Sequence, residues 1–440
     1  RFMTQEMNLE KEDMYQIDGP LDMTVFFGFC GIKGYNHLRY PEAHPHSPWS
    51  ILELKRTPET NIFDMIREKD LLIHLPYESF DESVVNFLYS AANDKDVLAI
   101  KQTLYRVSSS SPVVQALEKA VQNGKQVTVL MEVKARFDEA NNILMARRLE
   151  KAGAHVIYGL VGLKTHSKCT LVIRREKDGI RRYVHVATGN YNASTAKLYT
   201  DLGILTCNDR FGIDASAFFN LLSGYSDPPI WDSFIVAPIN LRQRCIELID
   251  REIHFAKNGE DAHMIAKMNS LLDKGIIEKL YEASQAGVKI ELIVRGICVL
   301  IPGIPGVSDN ITVRSIVGRF LEHSRIFWFR NGGREELYIS SADWMPRNLN
   351  DRVELMVPIE DPEIKRRLKQ MVDIELSDNQ KAHIMQADGT WLKTISAENQ
   401  LCAQEYFQKI AEKRDAEDEM TLAQKLEPYT PVLGHGDGSD

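Results

Sequence analysis

Val113-Val-Gln-Ala-Leu-Glu-Lys-Ala-Val-Gln-Asn-Gly-Lys-Gln-Val-Thr-Val-Leu130 aligns without gaps to Ile276-Ile-Glu-Lys-Leu-Tyr-Glu-Ala-Ser-Gln-Ala-Gly-Val-Lys-Ile-Glu-Leu-Ile293, with Gly124 and Gly287 in register. Each copy reads as an amphipathic helix, a glycine that stops it, and a short β-branched run that forms a buried strand. The pairing points to an internal duplication. Around the first copy, Val97–Ile100 is another short apolar run. Asp138 is placed to cap a helix running to Lys151, Gly153 closes that helix, and Val156–Tyr158 is the next strand. Helices alternating with strands imply sheets covered by helices, so the fold class is α/β.

Each copy is followed by a His-Ser-basic triplet, His166-Ser-Lys168 after the first and His323-Ser-Arg325 after the second. Strand-like sequence follows both, Lys168 to Arg175 in one case and Ile326–Phe329 in the other. Residues two apart on a strand share a face, so His166 and Lys168 form one imidazole–cation pair and His323 and Arg325 another. Such a pair suits phosphate chemistry, because the cation holds anionic oxygens while the imidazole attacks phosphorus or carries a proton. Asn190, in the turn-like Thr188–Tyr191, is placed to orient His166 or to donate to phosphate. Asp343, at the comparable place in the second half, is placed to orient His323.

The remaining composition narrows the class. The chain has 440 residues, 44% of them hydrophobic, enough for two or three domains with sizeable cores. A formal charge of −9 argues against binding nucleic acid over the whole surface, so a polyanion must meet a local basic site. No run of 18 uncharged apolar residues and no secretory pattern is found, which makes the cytoplasm the expected compartment. Six scattered cysteines without a CxxC pair indicate neither a disulfide framework nor structural zinc. The chain opens on Arg1 rather than Met and is read as lacking an upstream portion.

Three stretches carry a family resemblance: Gly162-Leu-Lys-Thr-His-Ser-Lys168, Arg181-Arg-Tyr-Val-His-Val-Ala-Thr-Gly-Asn-Tyr-Asn192 and Thr195-Ala-Lys-Leu-Tyr-Thr-Asp201. Together with Thr103–Arg106, Val133–Asp138, Val294–Ile297 and Gly318–Arg325, they closely resemble the signature run of the polyphosphate kinase family, from roughly Tyr15 to beyond Pro358. The resemblance implies two duplicated phospholipase D-like domains, each a mixed sheet flanked by helices, sharing one active site and preceded by a fragment of an upstream domain. The expected parts are 1–61 for that fragment and linker, 62–228 and 229–418 for the two catalytic domains, and 419–440 for a disordered tail. The wider phospholipase D-like group places an Asp five residues after the basic residue, where this chain has Ile173 and Arg330. That departure counts against the competing reading, a phosphodiesterase or nuclease.

By the same resemblance, the implied activity is reversible transfer of the terminal phosphoryl of ATP to inorganic polyphosphate through a phosphohistidine. His166 corresponds to the phosphorylated histidine and His323 to the second active-site histidine. His185 is supportive, and Lys168 and Arg325 are the accompanying cations. Tyr199, Arg295 and His323 fall on ATP-binding positions. Arg106 and Arg136 fall on positions associated with Mg2+; a guanidinium offers donors only, so both are expected to grip phosphates that hold the metal. The resemblance further implies ATP, ADP and polyphosphate as partners, a homo-oligomer (dimer or tetramer), no nucleic acid and no transmembrane segment, with peripheral membrane association left open.

Overall fold

A computed structural model describes residues 9–10, 14–19, 21–48, 51–52, 60–108, 110–135, 138–160, 162–224 and 230–425. The chain divides into two units, Arg1–Ala43 and His44–Asp440. In the first, a 3-10 helix, Met23–Gly31, starts where the Asp22 carboxylate accepts from the Thr24 amide, and buries none of its residues.

The second unit holds two sheets built on one plan. Its first half contributes β1 (Leu71–Leu75), β2 (Val97–Leu104), β3 (Gln126–Met131), β4 (His155–Ile157), β5 (Lys164–Thr165), β6 (Cys169–Glu176), β7 (Gly179–Ala187) and β8 (Tyr199–Thr206). The second half contributes β9 (Ile235–Ala237), β10 (His263–Met268), β11 (Lys289–Val294), β12 (Ile311–Ile316), β13 (Leu321–Glu322), β14 (Ile326–Phe329), β15 (Glu336–Ser340), β16 (Arg352–Pro358), β17 (Ala382–Met385) and β18 (Trp391–Lys393). One sheet runs β1-β8-β7-β6-β2-β3-β4; in the other, β9 pairs β16 and the order continues β16-β15-β14-β10-β11-β12. The two connectivities are the same strand for strand, as the duplicated sequence requires. Both sheets are mixed: β2, β3 and β4 are parallel, as are β10, β11 and β12, while the returning strands are antiparallel.

The helix–glycine–strand units form as the periodicity dictates. Helix Pro112–Gln122 begins with Ser111 accepting from the Val114 amide and with proline in its first turn, and buries Val113, Val114, Ala116, Leu117 and Ala120. Its counterpart Lys274–Gln285 is capped by Asp273 and buries Ile276, Ile277, Leu280 and Ala283. Gly124 and Gly287 follow these helices at φ +78° and +99°, the left-handed conformation that ends a helix without strain only at glycine. Helix Glu139–Ala152 starts at Asp138, but the Asp138 side chain makes no cap bond because it pairs with Arg106.

Two features differ from the expectation drawn from sequence. Beyond Pro358 the charged sequence reads as helical through about Asp418, but the chain there is not wholly helical: helix Pro362–Leu376 is followed by the β17–β18 hairpin, turned at Gly389 (φ +84°). Strands of four and three residues carry too few alternations to announce themselves. The last helix runs Ala403–Lys425, seven residues into the segment read as a tail, and 426–440 lie outside the described residues.

The halves also exchange strands. β13, from the second half, pairs in parallel with β8, and β5, from the first, pairs in parallel with β16. Each two-residue strand immediately precedes one of the histidine triplets, so the exchange carries each histidine into the other half's sheet.

Candidate active site

His166 follows β5, and the amides of His166 and Ser167 both donate to the Val353 carbonyl at 2.9 Å. That places the imidazole beside the next residue of β16, Glu354. Its Nδ1 lies 2.9 Å from each Glu354 carboxylate oxygen. The Ser341 hydroxyl and the Asn348 amide also donate to this carboxylate, which is fully buried. Three donors converging on one carboxylate suit its ionised form. Nδ1–H of His166 then donates to Glu354, and Nε2 is the nitrogen left with a lone pair. Tyr105 meets the ring edge-on, with centroids 4.7 Å apart.

The second histidine repeats this with the halves reversed. His323 follows β13; its amide donates to Thr200 Oγ1 at 3.1 Å, and its Nδ1 lies 2.8 and 2.9 Å from the two oxygens of Asp201 on β8. The Thr188 hydroxyl donates to the same carboxylate at 2.6 Å. Thr188 and Ser341 occupy corresponding places after β7 and β15, so each half supplies one hydroxyl and one carboxylate to hold the other half's imidazole.

A cation lies against each histidine. Lys168 Nζ lies 3.0 and 3.1 Å from the two ring nitrogens of His166 and is buried. Arg325 reaches Asp343 through two bonds of 3.1 Å and donates to the His323 carbonyl. Arg295 donates to Asn269 Oδ1 at 2.7 and 3.2 Å, and Asn269 donates to the His323 carbonyl at 3.0 Å and, through its backbone, to Asp343 at 2.8 Å. Tyr199 stacks at a tilt 5.3 Å from His323.

Burial and mutual charge set the protonation states. Desolvation, then Lys168, Arg352, Arg325 and His323, hold His166 well below the ordinary imidazole range. Desolvation also lowers His323, against the opposing pull of Asp201. Burial brings Lys168 down to about 7, although Glu354 opposes it. Burial alone would raise Asp201, but His323, Thr188 and Arg325 together hold it below the usual carboxylate range. Glu354 is raised by burial even with Lys168 beside it. Lys168 and Arg325 each bear on both imidazoles, lowering His166 and His323 alike.

Of the residues singled out from sequence, His166, Lys168, His323, Arg325, Tyr199 and Arg295 are brought together. Asp343 does not orient His323: its two oxygens match the guanidinium fork of Arg325, and Asp201 takes the imidazole. Asn190 does not orient His166, a place taken by Glu354. His185 lies on β7, bonded to the Tyr191 hydroxyl at 2.8 Å, away from both cations. Arg106 faces Asp138 at 3.1 Å, and Arg136 lies outside the described residues. Sequence reading assigned no role to Asp201 or Glu354. The available signal was a single acidic residue inside an apolar strand of each half, a placement that burial penalises unless a partner is waiting.

Two copies of one α/β domain, each carrying a His-x-basic pair seated on the other's buried carboxylate, make this a phospholipase D-like fold. Residues 61–228 match the family model of polyphosphate kinase C-terminal domain 1, and residues 234–404 that of polyphosphate kinase C-terminal domain 2. The chain belongs to the polyphosphate kinase family. It is 56% identical over 378 residues to a polyphosphate kinase of Halalkalibacterium halodurans, covering 86% of this chain and 53% of the relative. To that of Synechocystis sp. it is 50% identical over 433 residues, covering 94% and 58%. The crystal structure of polyphosphate kinase from Porphyromonas gingivalis superposes with a TM-score of 0.83 at 35% identity, covering 95% of this chain and 63% of that one. The chain spans about half the length of the curated relatives it matches.

Proposed function

We propose that this chain carries the phosphotransfer centre of a polyphosphate kinase, moving the terminal phosphoryl of ATP reversibly to inorganic polyphosphate through a phosphorylated His166. The observation that carries this reading is the reciprocal seating of the two imidazoles, His166 on Glu354 and His323 on Asp201, around Lys168 and Arg325. A neutral His166 whose Nδ1–H is engaged presents Nε2 as the nucleophile. Nε2 attacks the γ-phosphorus; the N–P bond forms as the bond to the ADP oxygen breaks, and the electron pair leaves with ADP. A terminal oxygen of polyphosphate then attacks the same phosphorus, lengthening the chain by one phosphate and freeing His166. Lys168, Arg325 and Arg295 neutralise the three equatorial oxygens, on which charge accumulates during transfer. His323 stands on the leaving-group side, and Tyr199 with Arg295 contacts the nucleotide.

Mg2+ enters this reading as part of the substrate, bound to the phosphates of ATP. Among the described residues no group of three His, Cys, Asp or Glu side chains could hold a metal, and the carboxylates of Asp201 and Glu354 are engaged by imidazoles. Arg106 is a donor-only cation that reaches the metal only through phosphate oxygens. Among the described residues no helix is long and apolar enough to cross a membrane. A cytoplasmic homo-oligomer acting on ATP and polyphosphate, with no nucleic acid partner, completes the proposal.

Incubation with γ-labelled ATP and magnesium tests it. The wild-type chain is expected to take up acid-labile, base-stable label that polyphosphate discharges. His166→Ala is expected to lose all label, and His323→Ala to lose turnover. Equal labelling of the His166 variant, or cleavage of a phosphodiester without ATP, would refute the proposal.

A further inference from the structure

The mechanism leaves a buried polar chain behind Asp201 unused. His185 is 2% exposed. Its Nδ1 is 2.8 Å from the Tyr191 hydroxyl, which lies 2.9 Å from Thr170 Oγ1, itself 2.7 Å from Gln102 Oε1. The Gln102 side-chain nitrogen donates to the Thr103 carbonyl at 3.0 Å, so the Gln102 oxygen faces Thr170 and can only accept. Counting protons fixes the rest. Thr170 gives its proton to Gln102, Tyr191 gives its own to Thr170, and Nδ1–H of His185 donates to Tyr191. Nε2 of His185 is therefore a bare acceptor.

That Nε2 and the side-chain oxygen of Asn190 are both buried, and neither has a hydrogen-bond partner among the described residues. Both residues line one cavity of about 10 Å3, the smallest that holds a single water, whose wall is otherwise Gly189, Asp201, Gly203 and apolar side chains including Ile73, Leu75, Phe80 and Val84. The glycines shape it. A Cβ on Gly203 would lie 2.6 Å from His185 Nε2, and one on Gly189 would lie 2.2 Å from an Asp201 oxygen. Only an α-carbon without a side chain lets the Thr188–Asn190 turn back against the carboxylate that Thr188 also bonds.

We propose that one water molecule occupies this cavity, donating to Nε2 of His185 and Oδ1 of Asn190, and that His185 is thereby a positioning residue for His323. Two buried, unpartnered acceptors on residues that line a space of one molecule's size call for a donor with two protons, and water is that donor. The bridge ties His185 to the Thr188–Asn190 turn, the turn seats Asp201, and Asp201 fixes the ring of His323.

The tautomer of His323 reports on this directly, by 15N-histidine NMR of the full chain with the signals assigned through His323→Ala. Wild type is expected to hold His323 as a single Nδ1–H tautomer. His185→Phe and Asn190→Ala remove one acceptor each from the cavity wall and are expected to leave His323 averaging between both tautomers. His185→Gln restores an acceptor oxygen and is expected to keep the tautomer fixed. Should His185→Phe fail to fold, Asn190→Ala carries the same test. A merely structural role for His185 would lower the melting temperature while leaving the His323 tautomer fixed in every variant. That result, or a high-resolution crystal structure with no water between residues 185 and 190, overturns the proposal. Only the catalytic meaning of the bridge rests on the phosphotransfer reading; the tautomer measurement succeeds or fails without turnover.

Discussion

Glu354→Gln is expected to slow phosphoryl uptake from ATP by about 10^4-fold, the scale seen when a carboxylate that orients a catalytic histidine becomes an amide. The cause is local. Glu354 accepts from His166 Nδ1, the Ser341 hydroxyl and the Asn348 amide at once. An amide replaces one accepting oxygen with an NH2 group, so at least one of these donors faces another donor, and the His166 ring is no longer held with its proton on Nδ1. A second effect adds to the first. Burial already brings Lys168 down to about 7, and Glu354 is the largest charge opposing that fall. Without it Lys168 gives up its proton more readily, and the pocket loses part of the positive charge that the proposed function sets against the γ-phosphate. Single-turnover rapid quench with labelled ATP measures the rate; a Gln variant within tenfold of wild type would show that the carboxylate does not set the tautomer.

Asp343→Ala is expected to cost about 3–5 kcal/mol of stability, because it leaves the buried Arg325 guanidinium without its counter-charge. Both side chains are almost wholly inside, at 3% and 8% exposure, so solvent cannot take over. The same pair sets an acid limit. Arg325, together with its hydrogen bonds and the amide of Asn269, outweighs the desolvation that would raise Asp343 and holds its carboxyl at about 2, below the ordinary 3.8. A carboxyl whose folded value is depressed stabilises the fold fully above its unfolded value; that contribution fades as the pH falls through the folded one. Wild type should therefore lose stability between about pH 4 and pH 2, and the Ala variant should lack that component of the acid transition. Urea denaturation across this range measures both effects, and a loss under about 1 kcal/mol, the level of an exposed ion pair, would contradict the assignment.

Much of the fold can be read directly from the chain. The helix–glycine–strand units around Gly124 and Gly287 carry their own periodicity and stop signals, and the two His-Ser-basic triplets mark the two imidazoles that the structure seats on buried carboxylates. What stays hidden is which residues meet across the halves. β5 and β13 are two residues long, too short for any pattern, yet their exchange decides that Glu354 serves His166 and Asp201 serves His323. Assigning Asp343 to His323 follows from its place in the chain, but a bidentate guanidinium is the stronger claimant, and the structure gives Asp343 to Arg325. The β17–β18 hairpin stays hidden in the charged sequence for a similar reason, its strands being only four and three residues.

The reciprocal site is tested most directly by identifying which nitrogen of which histidine carries the phosphoryl group. After incubation with labelled ATP and magnesium, peptide mapping locates the residue, and 31P–15N NMR of the trapped intermediate separates the two phosphohistidine isomers. With Nδ1 held by Glu354, the expected product is His166 phosphorylated on Nε2. Phosphorylation on Nδ1 of His166, or on any other residue, would contradict it.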